Sequence, residues 1–124
     1  MTGYSVKITY CSKELSARDR VAIKDTTNAV PLDDATKAGY ITIDMDYYAK
    51  LSVHNEHSED KDYDKYIIVA KDGTKYVTGS PSFMSAMEEI VEEMADSGED
   101  YKIEVYRMPS KNYKGKEFLT CSIV

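Results

Sequence analysis

The sequence has no tryptophan, only two phenylalanines, two histidines and three prolines, and just two cysteines in 124 residues. Cys11 and Cys121 stand at opposite ends of the chain without metal-ligand spacing, which excludes a disulfide framework and a zinc knuckle. Both read as reduced, small apolar residues. No apolar run approaches the roughly 20 residues that a membrane-spanning helix requires, so no membrane contact is expected. The opening residues Met1 to Lys7 lack a basic stretch followed by an apolar segment, and the expected compartment is therefore cytoplasmic. Catalytic patterns are missing as well. There is no Ser-His-Asp spacing, no phosphate-cradling glycine loop, no paired metal motif and no base beside a cysteine. The chain is read as a non-enzyme that needs no cofactor and no metal. His54 and His57, with Glu56, Glu59, Asp60, Asp62 and Asp64 around them, offer potential ligands, but their spacing lacks the glycine and terminal glutamate of a calcium loop. A solvated acidic loop is the better reading.

What the chain does have is tyrosine, eleven in all, within 42% hydrophobic and 31% charged residues. This is enough apolar material for one domain. Tyrosine packs one face and keeps its hydroxyl wet, which suits both half-buried strands and binding surfaces. The net charge of -6 argues at first against a nucleic-acid ligand. The charges, however, are segregated. Glu56 to Asp64 holds five acids against Lys61, and Glu88 to Asp100 holds seven acids and no base, so the rest of the chain is positive. Within that remainder, Tyr106 to Phe118 carries Arg107, Lys111, Lys114 and Lys116 against Glu117, interleaved with Tyr106, Tyr113 and Phe118.

Alternation predicts a strand over Tyr4 to Tyr10, with Tyr4, Val6, Ile8 and Tyr10 on one face. Ser16 reads as the cap of a short helix, Ala17 to Ile23. An irregular connection follows from Lys24 to Gly39. Tyr40 to Met45 and Tyr48 to Val53 form one long bent strand or two short ones. Lys65 to Ala70 and Lys75 to Thr78 are strands joined at Asp72-Gly73, a hairpin turn signal. Ser80 and Pro81 start a helix running to Ala95, with Phe83, Met87, Ile90, Val91 and Met94 as its apolar stripe. Tyr101 to Met108 and Glu117 to Val124 are the last strands, joined by a turn-rich hairpin, Pro109 to Lys116.

From Tyr40 onward this order is mostly β with one main helix. It matches a five-stranded oligonucleotide-binding (OB) barrel, whose helix lies between strands 3 and 4 and whose ligands meet strands 2 and 3 and the loops joining 1 to 2 and 4 to 5. The competing architecture is a mixed sheet with one covering helix. On the OB reading residues 1–124 form a single domain, with 1–39 an N-terminal extension packed on it. Tyr66, Lys75, Tyr76 and Tyr106 then lie on the binding face. Arg107, Lys111, Tyr113, Lys114, Lys116 and Phe118 occupy or flank the loop between strands 4 and 5, where cations can hold a backbone and rings can stack on bases. The acidic Glu56 to Asp64 segment would repel phosphate if it joined strands 1 and 2 at the same surface. A second reading treats Glu88, Glu89, Glu92 and Glu93 as a docking face for a basic protein partner, or as a mimic of DNA phosphates that inhibits a host DNA-binding protein.

At Lys24-Asp25-Thr26-Thr27-Asn28-Ala29, Lys75-Tyr76-Val77-Thr78-Gly79-Ser80 and Pro109 to Lys116, the chain resembles small single-stranded-DNA-binding proteins of phages and integrated elements of Gram-positive bacteria. The resemblance implies an OB-like fold and sequence-independent binding of single strands in replication or recombination. It also implies self-association as a homo-oligomer, and contacts with replication or recombination proteins. The chain departs from bacterial relatives in ending on a strand-like segment, Thr120 to Val124, where those carry an acidic tail.

Overall fold

The computed structural model describes residues 3–57, 59, 61–110 and 115–124. Two compact units emerge, Met1–Pro31 with Asp46–Gly79, and Leu32–Met45 with Ser80–Val124.

The first unit is built on a five-stranded sheet. Its strands are β1 (Tyr4–Cys11), β2 (Val30–Pro31), β4 (Met45–Asn55), β5 (Asp62–Ala70) and β6 (Lys75–Thr78), in the order β1-β4-β5-β6-β2. The β5–β6 hairpin turns as its sequence predicts: Asp72 Oδ1 accepts the Thr74 amide at 2.9 Å, and Gly73 takes a φ of 92° that a side chain would resist. Helix α1 (Ala17–Lys24) is capped by Ser16, whose hydroxyl accepts the Asp19 amide at 3.2 Å. Its Ile23 meets Ala49, Leu51 and Ile67 in the core, with Val6, Ile8, Cys11, Val69 and Val77 packed around them. Alternation explains this set, since every second residue of β4 and β5 faces α1.

One expectation fails in β1. Val6 and Ile8 do face the core, but the ladder slips between Ile8 and Tyr10, so that Tyr10 lies opposite Lys50 and Cys11 opposite Ala49. This β-bulge takes one residue out of the alternation and turns Tyr10 to the face away from α1. The acidic segment is also shorter as a loop than its composition implies, because β5 already begins at Asp62.

The second unit holds an antiparallel sheet, β3 (Ile41–Ile43), β7 (Ile103–Pro109) and β8 (Glu117–Ile123), in the order β3-β7-β8. The Tyr40–Val53 region is thus two strands in two sheets, divided at Asp44. Helix α3 (Pro81–Met94) starts at Ser80, whose hydroxyl accepts the Phe83 amide at 3.3 Å, with Pro81 in the first turn. It lies against β8, where Ser82 donates to the Leu119 carbonyl at 2.8 Å. Phe83, Met84 and Met87 are buried, as are Ile43, Ile103, Val105, Leu119 and Cys121 from one face of the sheet. Burial pushes the Cys121 thiol up to about 11, so it serves as packing and not as a nucleophile. The connection expected to be irregular contains β2 and one helical turn, α2 (Leu32–Ala35).

The chain is mostly β, and α3 falls between β6 and β7 in chain order. Among the described residues no helix is long and apolar enough to cross a membrane.

Candidate nucleic-acid interface

In the second unit, alternation along β7 and β8 decides which side chains meet α3 and which are left open. Ile103, Val105, Leu119 and Cys121 are buried, so Tyr106, Met108, Phe118, Thr120 and Ser122 belong to the opposite face. Phe118 lies directly across from Met108, and Tyr106 across from Thr120. Phe118 is 40% exposed and Met108 43%, an unusual placement for two large apolar side chains on neighbouring strands. Tyr106 is half-buried and its hydroxyl meets Ser122 Oγ at 2.5 Å, which fixes the ring. This face leads directly into the β7–β8 connection, whose base is closed by the Ser110 amide donating to the Lys116 carbonyl at 2.8 Å. Lys116 is exposed there. Lys111, Tyr113 and Lys114, expected as the core of the binding loop, lie outside the described residues.

Arg107 alternates to the other side. Its Nε donates to Thr36 Oγ1 at 3.1 Å, and its Nη2 donates to the Asp33 carbonyl, with the Asp33 carboxylate 3.8 Å away. The guanidinium therefore ties the α2 turn to β7. Beside it opens a cleft of about 580 Å³ lined by Thr36 to Tyr40 together with Glu104, Tyr106, Arg107 and Glu117. Lys37 and Tyr40 are the contributors that sequence reasoning missed. Tyr40 is 66% exposed; residue types place it at the start of a strand, and only its position just after Gly39, before a three-residue strand, marks it as surface.

In the first unit, Tyr66 and Tyr76 occupy the sheet face away from α1, because their neighbours Ile67 and Val77 pack into the core. Tyr66 pairs with Thr78, and Tyr76 with Ile68 on one side and Val30 on the other. Both rings are half-buried, and burial raises the Tyr76 phenol above its ordinary value. Lys75 points the opposite way: its ammonium donates to the Ala22 carbonyl at 2.7 Å and the Asp25 carbonyl at 3.0 Å. It thus satisfies carbonyls at the C-terminal end of α1, where a cation is favoured.

Two groups of acids stand apart from the cleft that Glu104 and Glu117 line beside Tyr106. Glu89, Glu92 and Glu93 are exposed along α3, and Glu88 is half-buried. At the β4–β5 end, His54 Nδ1 lies 2.7 Å from Asp62 and its Nε2 2.7 Å from Glu56, whose other oxygen is 3.4 Å from Lys61. Hydrogen bonding to Asp62, then to Glu56, raises the His54 pKa above its ordinary value. Two of the acids are thereby engaged with a base of their own.

An open sheet face that presents rings next to a cation, as β7 and β8 do, is the equipment of a nucleic-acid-binding module. Residues 19–124 match the profile of the Phi29-type family described as phage single-stranded DNA-binding protein, and the chain belongs to that family. Proteins of this family are binding proteins. No curated protein and no solved structure matches the chain.

Proposed function

We propose that the chain binds single-stranded DNA without regard to base sequence, as a single OB-like domain over residues 1–124 on which 1–39 packs as an extension. In this reading it is a non-enzyme that acts in the cytoplasm on strands exposed during phage or mobile-element replication or recombination. Copies of itself and replication or recombination proteins are its further partners.

The observation that carries the reading is the open face of the β3-β7-β8 sheet. Phe118 and Met108 stand exposed on neighbouring strands beside the fixed ring of Tyr106, and the basic Lys111 to Lys116 segment joins those same strands. Flat rings accept any base, and each stacked base contributes about 1–3 kcal/mol. The lysines supply the backbone charge that the rings cannot. Tyr66 and Tyr76 are the ring-bearing positions of the first unit, whereas Lys75 and Arg107 act through the helices that they hold. The exposed glutamates of α3 repel phosphate and keep the strand off that helix.

Fluorescence anisotropy with a labelled mixed-sequence oligonucleotide tests this. Reversing Lys111, Lys114 and Lys116 to Glu together abolishes binding at physiological salt while the circular dichroism spectrum is kept. Unchanged affinity in the folded triple variant removes this segment from the interface.

A further inference from the structure

The β-bulge in β1 has placed an aromatic ring where regular alternation would have buried it. Tyr10 is 48% exposed, with its ring centroid 5.5 Å from that of Tyr48 and the Lys50 ammonium 5.9 Å from its ring centre. Tyr48 is itself buried and holds the inner side of this pair. Cross-strand pairing fixes which neighbours share the face: Lys7 is opposite Ser52, and Tyr10 opposite Lys50. Lys7 is exposed and Lys50 half-exposed. Tyr10 also walls a cleft of about 540 Å³ with Arg20 and Glu14 on its rim.

We propose that Tyr10, with Lys7 and Lys50, forms a second contact for single-stranded DNA on the outer face of the β1–β4 pair. The inference rests on the single-stranded DNA reading above. It adds a surface that family membership does not assign, since β1 lies outside the matched residues 19–124.

The physical case joins three features. A bulge commonly re-aims a side chain at a functional surface, and here it gives the core position to Cys11 in place of Tyr10. Tilted packing against Tyr48 and the Lys50 ammonium over the ring hold Tyr10 and lower the entropy a base must overcome to meet its exposed part. Lys7 and Lys50 bring two cations beside this ring in a protein that is acidic overall, with Asp46 on the same strand held by Lys13 at 3.3 Å, and such cations match a phosphate backbone.

The chain has no tryptophan, so Tyr10→Trp introduces a single indole whose emission reports that position alone. Titration with unlabelled oligothymidylate should quench this emission over the concentration range in which anisotropy of a labelled oligothymidylate rises. Tyr10→Ala should weaken binding about 10-fold, as for loss of one stacked base, while Tyr10→Phe keeps wild-type affinity. Constant indole emission while anisotropy rises, or wild-type affinity in a folded Tyr10→Ala protein, overturns the second contact and leaves the first intact. Absence of any anisotropy change with the wild-type protein overturns both readings together.

Discussion

The ammonium of Lys75 donates to two carbonyls at the end of α1, and that small contact joins a hairpin strand to the helix covering its sheet. Lys75→Met keeps the aliphatic stem but strands these acceptors, and it should cost about 1–2 kcal/mol in chemical denaturation after allowance for partial exposure. His54 gives a pH signature. With a carboxylate at each ring nitrogen, the imidazolium is the form that can donate to both. Its folded pKa is raised above 6.5, so the stability it adds is complete below that ordinary value and is lost as pH rises through the elevated one. NMR titration should place the His54 midpoint above 6.5, and His54→Gln should remove this component of the pH dependence of the melting temperature. A midpoint at or below 6.5 contradicts the clamp. Neither role was legible in the sequence. The partners of Lys75 lie some fifty positions away and are backbone atoms, which no residue pattern announces. Tyr106 and Phe118 were legible, because strict alternation around Val105 and Leu119 leaves them on the open face.

Elements were readable where local chemistry alone determines them. Ser80 followed by Pro81 starts α3, and Asp72-Gly73 turns the β5–β6 hairpin, both within a residue of the positions their sequence predicts. Ser80→Ala should destabilise the protein by about 1 kcal/mol by releasing the Phe83 amide, measured by thermal or denaturant unfolding. What escaped prediction is set by pairing across the fold. The two-residue strand β2 exists because β6 offers it a parallel edge, and α2 is a single turn pinned by Arg107. Asp44 divides β3 from β4 only because two different sheets recruit the residues on either side. The bulge between Ile8 and Tyr10 belongs to the same class. Its segment alternates perfectly in sequence, and only the demand that Cys11 meet Ala49 in the core shifts the register.

At the scale of the whole molecule, an acidic protein that binds a polyanion must separate its charges. In sequence, acids cluster at Glu56 to Asp64 and Glu88 to Asp100, while Lys111, Lys114 and Lys116 form a basic cluster between β7 and β8. Composition alone therefore misleads, and the position of the charge informs. A binding mode built on exposed rings further requires bases freed from pairing, since a duplex hides the faces that Phe118 and Tyr106 would meet. The decisive measurement is anisotropy of matched single-stranded and double-stranded oligonucleotides of mixed sequence across a salt series. Binding should be confined to the single strand and vary little with sequence. It should weaken as salt rises, with a log-log slope that falls in magnitude by about 2 when the three loop lysines are removed. Equal affinity for the duplex, or no binding to the single strand even at low salt, would contradict the account.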